Sequence, residues 1–307
     1  MISMDIVLTQ ILVILLYVVI GFAAGKFRLI SPDQRKYLTR ICTSLILPFT
    51  ILSASSQSVS GSELLQMGMI TGILLLMFIA VTFISVRVQT LRGVPDAAKV
   101  TTASLLTYPN CTFLGLPLCR ALFGESAVLY NAMFLVAFNL LFFTWQVSAF
   151  TGQKFSPRNL CTLPTIATAV LVLMLALGWH LPAPVQTVAS STGAMITPLS
   201  LIIIGVMMSE SRLTEILREG RAFLVTALRN LAIPLVSMLV FRLIDVEPSS
   251  RLCLLVYMAC PCATLTSIYA IQSGKEPEYA ARSVLMSTLF FALTLPAIIW
   301  IGGQFLG

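Results

Sequence analysis

Apolar residues in this chain fall into long runs, and each run is closed by charge, Gly or Pro. Ten such runs stand out, at about 6–25, 36–55, 64–88, 100–122, 126–151, 161–179, 185–209, 221–244, 251–273 and 279–302. Their lengths sit near the roughly 20 residues that a helix needs to cross a bilayer. The second run is the least regular, with a charged start (Arg35, Lys36, Arg40) and a serine-rich end. The pattern predicts an all-α membrane protein of ten transmembrane helices.

Composition agrees. Hydrophobic residues make up 58% of the 307 positions, charged residues 10%, and mean hydropathy is +0.96. A soluble domain carries about 25% charged residues, so there is too little polar surface here to cover a water-soluble globule. Disordered chains, coiled coils and secreted disulfide scaffolds are excluded on the same ground, and ten spans leave no room for a soluble catalytic domain. The seven cysteines lie in or beside apolar runs, are odd in number and read as reduced. The first run has Lys26 and Arg28 after it and no basic residue before it. That is the reverse of a signal peptide, so it reads as a retained span.

The formal charge of +7 is unevenly placed. Assigned to the segments between runs, 16 of the 19 basic residues follow runs 1, 3, 5, 7 and 9, and 3 follow the others. Basic loops stay in the cytoplasm. Both termini are therefore expected outside a cytoplasmic membrane.

The chain also repeats itself. Pro109 and Pro261 are 152 residues apart, Pro48 and Pro198 are 150 apart, and Thr107-Tyr-Pro-Asn-Cys-Thr112 aligns with Ala259-Cys-Pro-Cys-Ala-Thr264. Residues 1–155 and 156–307 thus read as two five-helix units. Five is odd, so the second unit is inverted, an architecture common among secondary transporters. Pro109 and Pro261 each interrupt the middle of a run. Proline removes a helical hydrogen bond, and loose backbone at membrane depth is tolerated only in protein or beside a wet cavity. Helices four and nine are expected to break there, near the midplane. The half-helix after each break presents its N-terminus, with free N–H donors and about half a positive charge, to the midplane. Two such ends without a local carboxylate favour an anion.

The segment Tyr108-Pro-Asn-Cys-Thr-Phe-Leu-Gly-Leu-Pro-Leu-Cys-Arg-Ala-Leu-Phe-Gly124 resembles the fourth-helix motif of the auxin efflux carrier family, which includes the plant PIN carriers and bacterial malonate and malate carriers. Gly21 to Ile30, Leu47-Pro48, Phe138-Asn139-Leu140 and the stretch from Pro261 to Pro277 support the likeness, which spans nearly the whole chain. The long cytoplasmic loop of many plant members is missing, as in compact bacterial members. The resemblance implies ten helices with helices 4 and 9 crossing at Pro109 and Pro261 near the midplane, a scaffold of helices 1, 2, 6 and 7, a transport unit of helices 3–5 and 8–10, and a homodimer through the scaffold. It also implies that Asn110 contacts a substrate carboxylate and that Asn139 lies beside it. Cys260 and Cys262 depart from the small or apolar residues expected around the second crossover proline.

Each candidate has a plainer reading. Asn110 and Asn139 are amides in apolar spans, where a helix-to-helix hydrogen bond is the ordinary role; Asn110, directly after a break, reads rather as a ligand. Thr107, Thr112, Thr264, Thr266 and Ser267 offer hydroxyls either to a cavity or to backbone carbonyls. Tyr108, Cys111 and Cys262 flank the two breaks. Ser53 belongs to the wet end of the second run or to the site. Cys260-Pro-Cys262 resembles the Cu(I) segment of copper-pumping ATPases, yet no phosphorylation domain accompanies it; small residues lining a cavity is the preferred role. Arg229, two turns inside the eighth run, is expected to snorkel to the cytoplasmic surface. Gly21-x-x-x-Gly25 and Gly68-x-x-x-Gly72 read as helix-packing faces, and His180 as a loop residue.

An intramembrane enzyme is excluded because no catalytic pair can be assembled from one His and from acids that avoid the spans. The reading that remains is a secondary carrier of a small mono- or dicarboxylate with no cofactor, no metal and no nucleic-acid partner. A channel, a carboxylate receptor and, remotely, a metal carrier on Cys260 and Cys262 are the alternatives. Without a titratable group inside the membrane, uniport or exchange is expected, with Glu63 the one candidate proton relay.

Overall fold

The computed structural model describes residues 4–154, 156–210 and 219–306. It is all-helical. Its helices are α1 Met4–Lys26, α2 Pro32–Ser56, α3 Gly61–Leu91, α4 Asp96–Thr107, α5 Cys111–Phe123, α6 Ser126–Thr151, α7 Leu163–Leu177, α8 Ala183–Ser209, α9 Gly220–Arg242, α10 Pro248–Ala259, α11 Thr264–Ser273 and α12 Pro277–Leu306. Seven of them (α1–α3, α6, α8, α9 and α12) are long and apolar enough to cross a membrane, and α5 and α7 are shorter apolar helices. The predicted runs match these bounds within four residues. The fourth and ninth runs are each two helices, α4 with α5 and α10 with α11.

The helix starts obey capping chemistry. Ser31 and Ser60 each accept the backbone N–H three residues on, and Gln34 and Glu63 reach back to the cap, so both ends are capping boxes. Three wide helical turns, Cys42–Ile46, Cys111–Gly115 and Leu228–Ala232, each end two residues before a proline, Pro48, Pro117 or Pro234. A π-type turn shifts the hydrogen-bond register, which lets the ring continue in the helix without striking the carbonyl one turn back.

The helices pack in two groups. α1 lies along α8, and α2 packs on α7 and α8. α3 packs on α4 and α6, while α9, α10 and α11 pack on α12. Glycine lets α1 and α8 touch through their backbones: a Cβ on Gly21 would sit 2.1 Å from the Ile202 carbonyl oxygen, and one on Gly205 would sit 2.0 Å from that of Val18. Gly25 packs equally tightly on Ser209, but a Cβ on Gly68 or Gly72 would meet nothing within 4 Å, so among the described residues the first glycine pair is a packing face and the second is not. Large apolar side chains such as Leu16, Ile20, Phe83, Val236, Leu239 and Leu293 face outward, as lipid-facing residues do.

One expectation is corrected here. Arg229 does not snorkel. Its side chain is wholly buried behind the breaks. It therefore leaves the tally of loop charges, and the split of basic residues becomes 15 to 3.

Candidate functional site

The two breaks are bonded to each other. Pro109 and Cys262 form an antiparallel bridge pair, in which the Asn110 N–H donates to the Pro261 carbonyl (2.7 Å) and the Ala263 N–H donates to the Tyr108 carbonyl (2.9 Å). Each break thus satisfies the backbone groups freed by the other, the accounting that a water-poor environment demands. Hydroxyls tie the neighbouring turns: Ser104 Oγ to Thr266 Oγ1 across the crossing, and Thr107 Oγ1 to Thr82 Oγ1, both at 2.8 Å. Tyr108 is buried among Phe78, Phe138 and Phe142, and Ser200 donates to the Phe113 carbonyl from α8.

Four helix ends meet at this point. α4 and α10 arrive with their C-termini, and α5 and α11 leave with their N-termini. The orphan carbonyls of the arriving ends are taken by one side chain. Arg229 donates from Nη1 to Leu106 O (2.9 Å), from Nη2 to Met258 O (2.5 Å) and from Nε to Cys260 O (3.0 Å). This is why a charged residue rests wholly buried in an apolar helix: its planar fork matches three carbonyls, and the negative ends of two helix dipoles face it.

The departing N-termini are different. Neither has a side-chain cap, and both face a cavity of about 550 Å³ lying between the two packing groups. Its walls come from α2 (Thr39, Thr43, Leu47), the start of α7 (Thr162, Pro164), α8 (Ile203, Ile204, Met207), α6 (Leu135, Phe138, Asn139, Phe143) and the first turns of α5 and α11. Arg35 and Glu210 also line it, paired bidentately at 2.7 and 3.0 Å. Apart from that neutralised pair, the lining carries no acidic residue among the described residues.

Of the residues singled out in the sequence, Pro109, Asn110, Cys111, Thr112, Asn139, Thr264 and Ser267 line this one cavity. Asn110 is 5% exposed, and its side-chain amide has no hydrogen-bond partner among the described residues. Asn139 donates to Thr165 Oγ1 (3.0 Å) while its side chain also lines the cavity wall. Ser267 turns its hydroxyl back to the Thr264 carbonyl.

Thr107, Tyr108, Cys262, Pro261, Thr266 and Ser53 are not in the wall. The first five are buried in the crossing, and Ser53 lies in the α2–α8 contact, bonded to Thr50 and Gln186. Cys260 and Cys262 turn into separate apolar clusters. Among the described residues no three His, Cys, Asp or Glu side chains converge as a metal site. Glu63 stays in its capping box, outside the cavity.

Sequence reasoning missed the Arg35–Glu210 pair and the place of Arg229. Arg229 did carry a signal: it is a charge inside an apolar run, five residues before a helix-interior proline.

A bundle of apolar helices, two of them interrupted and bonded at their breaks beside a polar-floored cavity, defines a membrane transporter of the broken-helix kind. The chain belongs to the membrane transport protein family, the family of the auxin efflux carriers, whose pattern it matches at residues 6–159 and 147–299. It is also similar to an uncharacterized transporter of Methanocaldococcus jannaschii. The two are 22% identical over 316 residues, covering 98% of this chain and 99% of that one.

Proposed function

We propose that this transporter carries a small organic anion, a mono- or dicarboxylate, across the cytoplasmic membrane by alternating access. One observation carries the reading: two uncapped helix N-termini and the unpartnered Asn110 amide face one cavity that holds no unpaired carboxylate. Backbone N–H groups at helix starts recognise carboxylates and phosphates alike. The modest volume and the apolar walls from Leu135, Phe138 and Phe143 favour a small carboxylate.

In this reading ten spans form inverted repeats, residues 1–155 and 156–307. Helices α1, α2, α7 and α8 are the scaffold and the dimer interface, and α3–α6 with α9–α12 move against them as an elevator. Both termini lie outside. The cavity mouth, marked by Arg35, Thr162 and Glu210, adjoins the basic loops and so faces the cytoplasm. A carrier is favoured over a channel because the crossing beyond Asn110 is filled by Tyr108 and its aromatic neighbours. Driving force comes from the anion gradient and the membrane potential.

The test is a thermal-shift screen of the purified protein against small carboxylates. A ligand at 100 times its dissociation constant adds about 2.7 kcal/mol of stability. Stabilisation by one or more carboxylates, followed by saturable counterflow of that compound in proteoliposomes, is the expected result. Stabilisation only by cations or neutral solutes would refute the reading.

A further inference from the structure

The charge of the crossing is not what its N-termini alone imply. A helix end carries about half an elementary charge, positive at the N-terminus and negative at the C-terminus. The crossing collects two of each, from α5 and α11 and from α4 and α10, so the four backbone ends sum to about zero. The one formal charge among them is Arg229, whose guanidinium is bonded, among the described residues, to the two C-termini alone. No carboxylate among the described residues pairs with it; the ion pairs they form are all elsewhere. A buried charge ordinarily has a partner of opposite sign. Here that role is taken by the two C-terminal dipole ends, which together amount to about one negative charge.

We infer that Arg229 is the charge-setting residue of the transport site: by cancelling the C-termini of α4 and α10 it leaves the N-termini of α5 and α11 unopposed, and so makes the cavity floor select anions. It acts through the helix ends and does not touch the cavity, which makes it a positioning residue and not a ligand. The inference rests on the anion reading of the site, and it adds the source of the selectivity. It also explains the missing acid: a carboxylate close by would restore neutrality and abolish the preference.

The experiment measures the field without needing the substrate. Ile268 lines the cavity in the first turns of α11 and is 36% exposed. In a C161S background, which removes the exposed native thiol, I268C places a reactive thiol there. Its rates with an anionic sulfonatoethyl and a cationic trimethylammonioethyl methanethiosulfonate are compared, site by site, by peptide mapping in detergent. With Arg229 present, the anionic-to-cationic rate ratio is expected above that of a free thiol in solution. R229Q is expected to lower the ratio by roughly tenfold or more. A unit charge on the order of 10 Å away, at an effective dielectric near 20, shifts each singly charged reagent by about 15-fold and the two in opposite directions, so tenfold is a floor for the ratio. R229K, which keeps the charge and loses the fork, is expected to hold the ratio within about threefold of the parent.

A parent ratio no higher than that of a free thiol overturns the inference even if R229Q does not fold. An unchanged ratio in folded R229Q overturns it too, as does a collapse in R229K. Failure of every carboxylate to stabilise the protein, with the ratios as expected, would instead refute the substrate class and leave the field assignment standing.

Discussion

Replacing Gly205 with Ala adds one methyl group at the point where α8 meets α1. That methyl would sit 2.0 Å from the Val18 carbonyl oxygen and 2.6 Å from the Phe22 nitrogen. Both are backbone atoms, so no rotamer change relieves the overlap, and the helices must part by about 1 Å or more. Overpacking of this kind costs roughly 1–3 kcal/mol. The small gain from replacing a helical glycine, up to about 1 kcal/mol, offsets only part of it. At roughly 2–4 °C per kcal/mol for a chain of this order of size, G205A is expected to lower the apparent melting temperature by about 2–10 °C. Size-exclusion chromatography with fluorescence detection after a heating series reads this directly. The control is G68A, at a glycine with nothing within 4 Å, which is expected to melt within about 1 °C of the parent or slightly higher. If G205A and G68A melt together, α1 and α8 are not in backbone contact and the packing described for the first group is wrong.

Three further outcomes are expected. A cysteine at the exposed positions Ser60 or Gln153 reports orientation in intact cells: S60C is expected to label with an impermeant reagent and Q153C is not, and the reverse pattern would overturn the assignment of the cavity to the cytoplasmic side. Exchanging both crossover thiols, C260S with C262S, is expected to keep carboxylate binding within a few-fold, because both side chains turn away from the cavity; stoichiometric copper bound by the parent and lost in this variant would revive a metal role. E63Q is expected to leave uptake under an imposed membrane potential unchanged, since Glu63 is spent in its cap with Ser60. Uptake driven by a proton gradient alone and abolished by E63Q would make it the relay.

The helices were legible because a bilayer imposes one strong rule, about 20 apolar residues per span, and because Ser31, Ser60, Pro109 and Pro261 punctuate the chain with unambiguous chemistry. The matched positions of the two breaks were legible from the spacing of the prolines, and their crossing from the family likeness. Which side chain faces the cavity was not. Asn110 and Thr107 are three residues apart, yet one lines the cavity and the other bonds Thr82 on α3, a difference set by tertiary packing with no local trace. Arg229 was misplaced for the same reason. A lone arginine in an apolar helix escapes to the surface unless acceptors await it, and its acceptors here are carbonyls of two other helices, 123 and 29 to 31 positions away. The Arg35–Glu210 pair joins residues 175 apart, which no periodicity announces.

The central claim is that a carboxylate binds at the paired breaks through Asn110 and the helix starts beside it. The direct measurement is the affinity of the best stabilising carboxylate for the parent and for N110A, by isothermal titration on protein shown to be folded. Loss of a hydrogen bond to a charged group costs roughly 1.5–3 kcal/mol, so binding weaker by about 10- to 150-fold is expected with the melting temperature of the empty protein unchanged. Equal affinity in the two proteins would place the substrate somewhere other than the crossing and contradict the account.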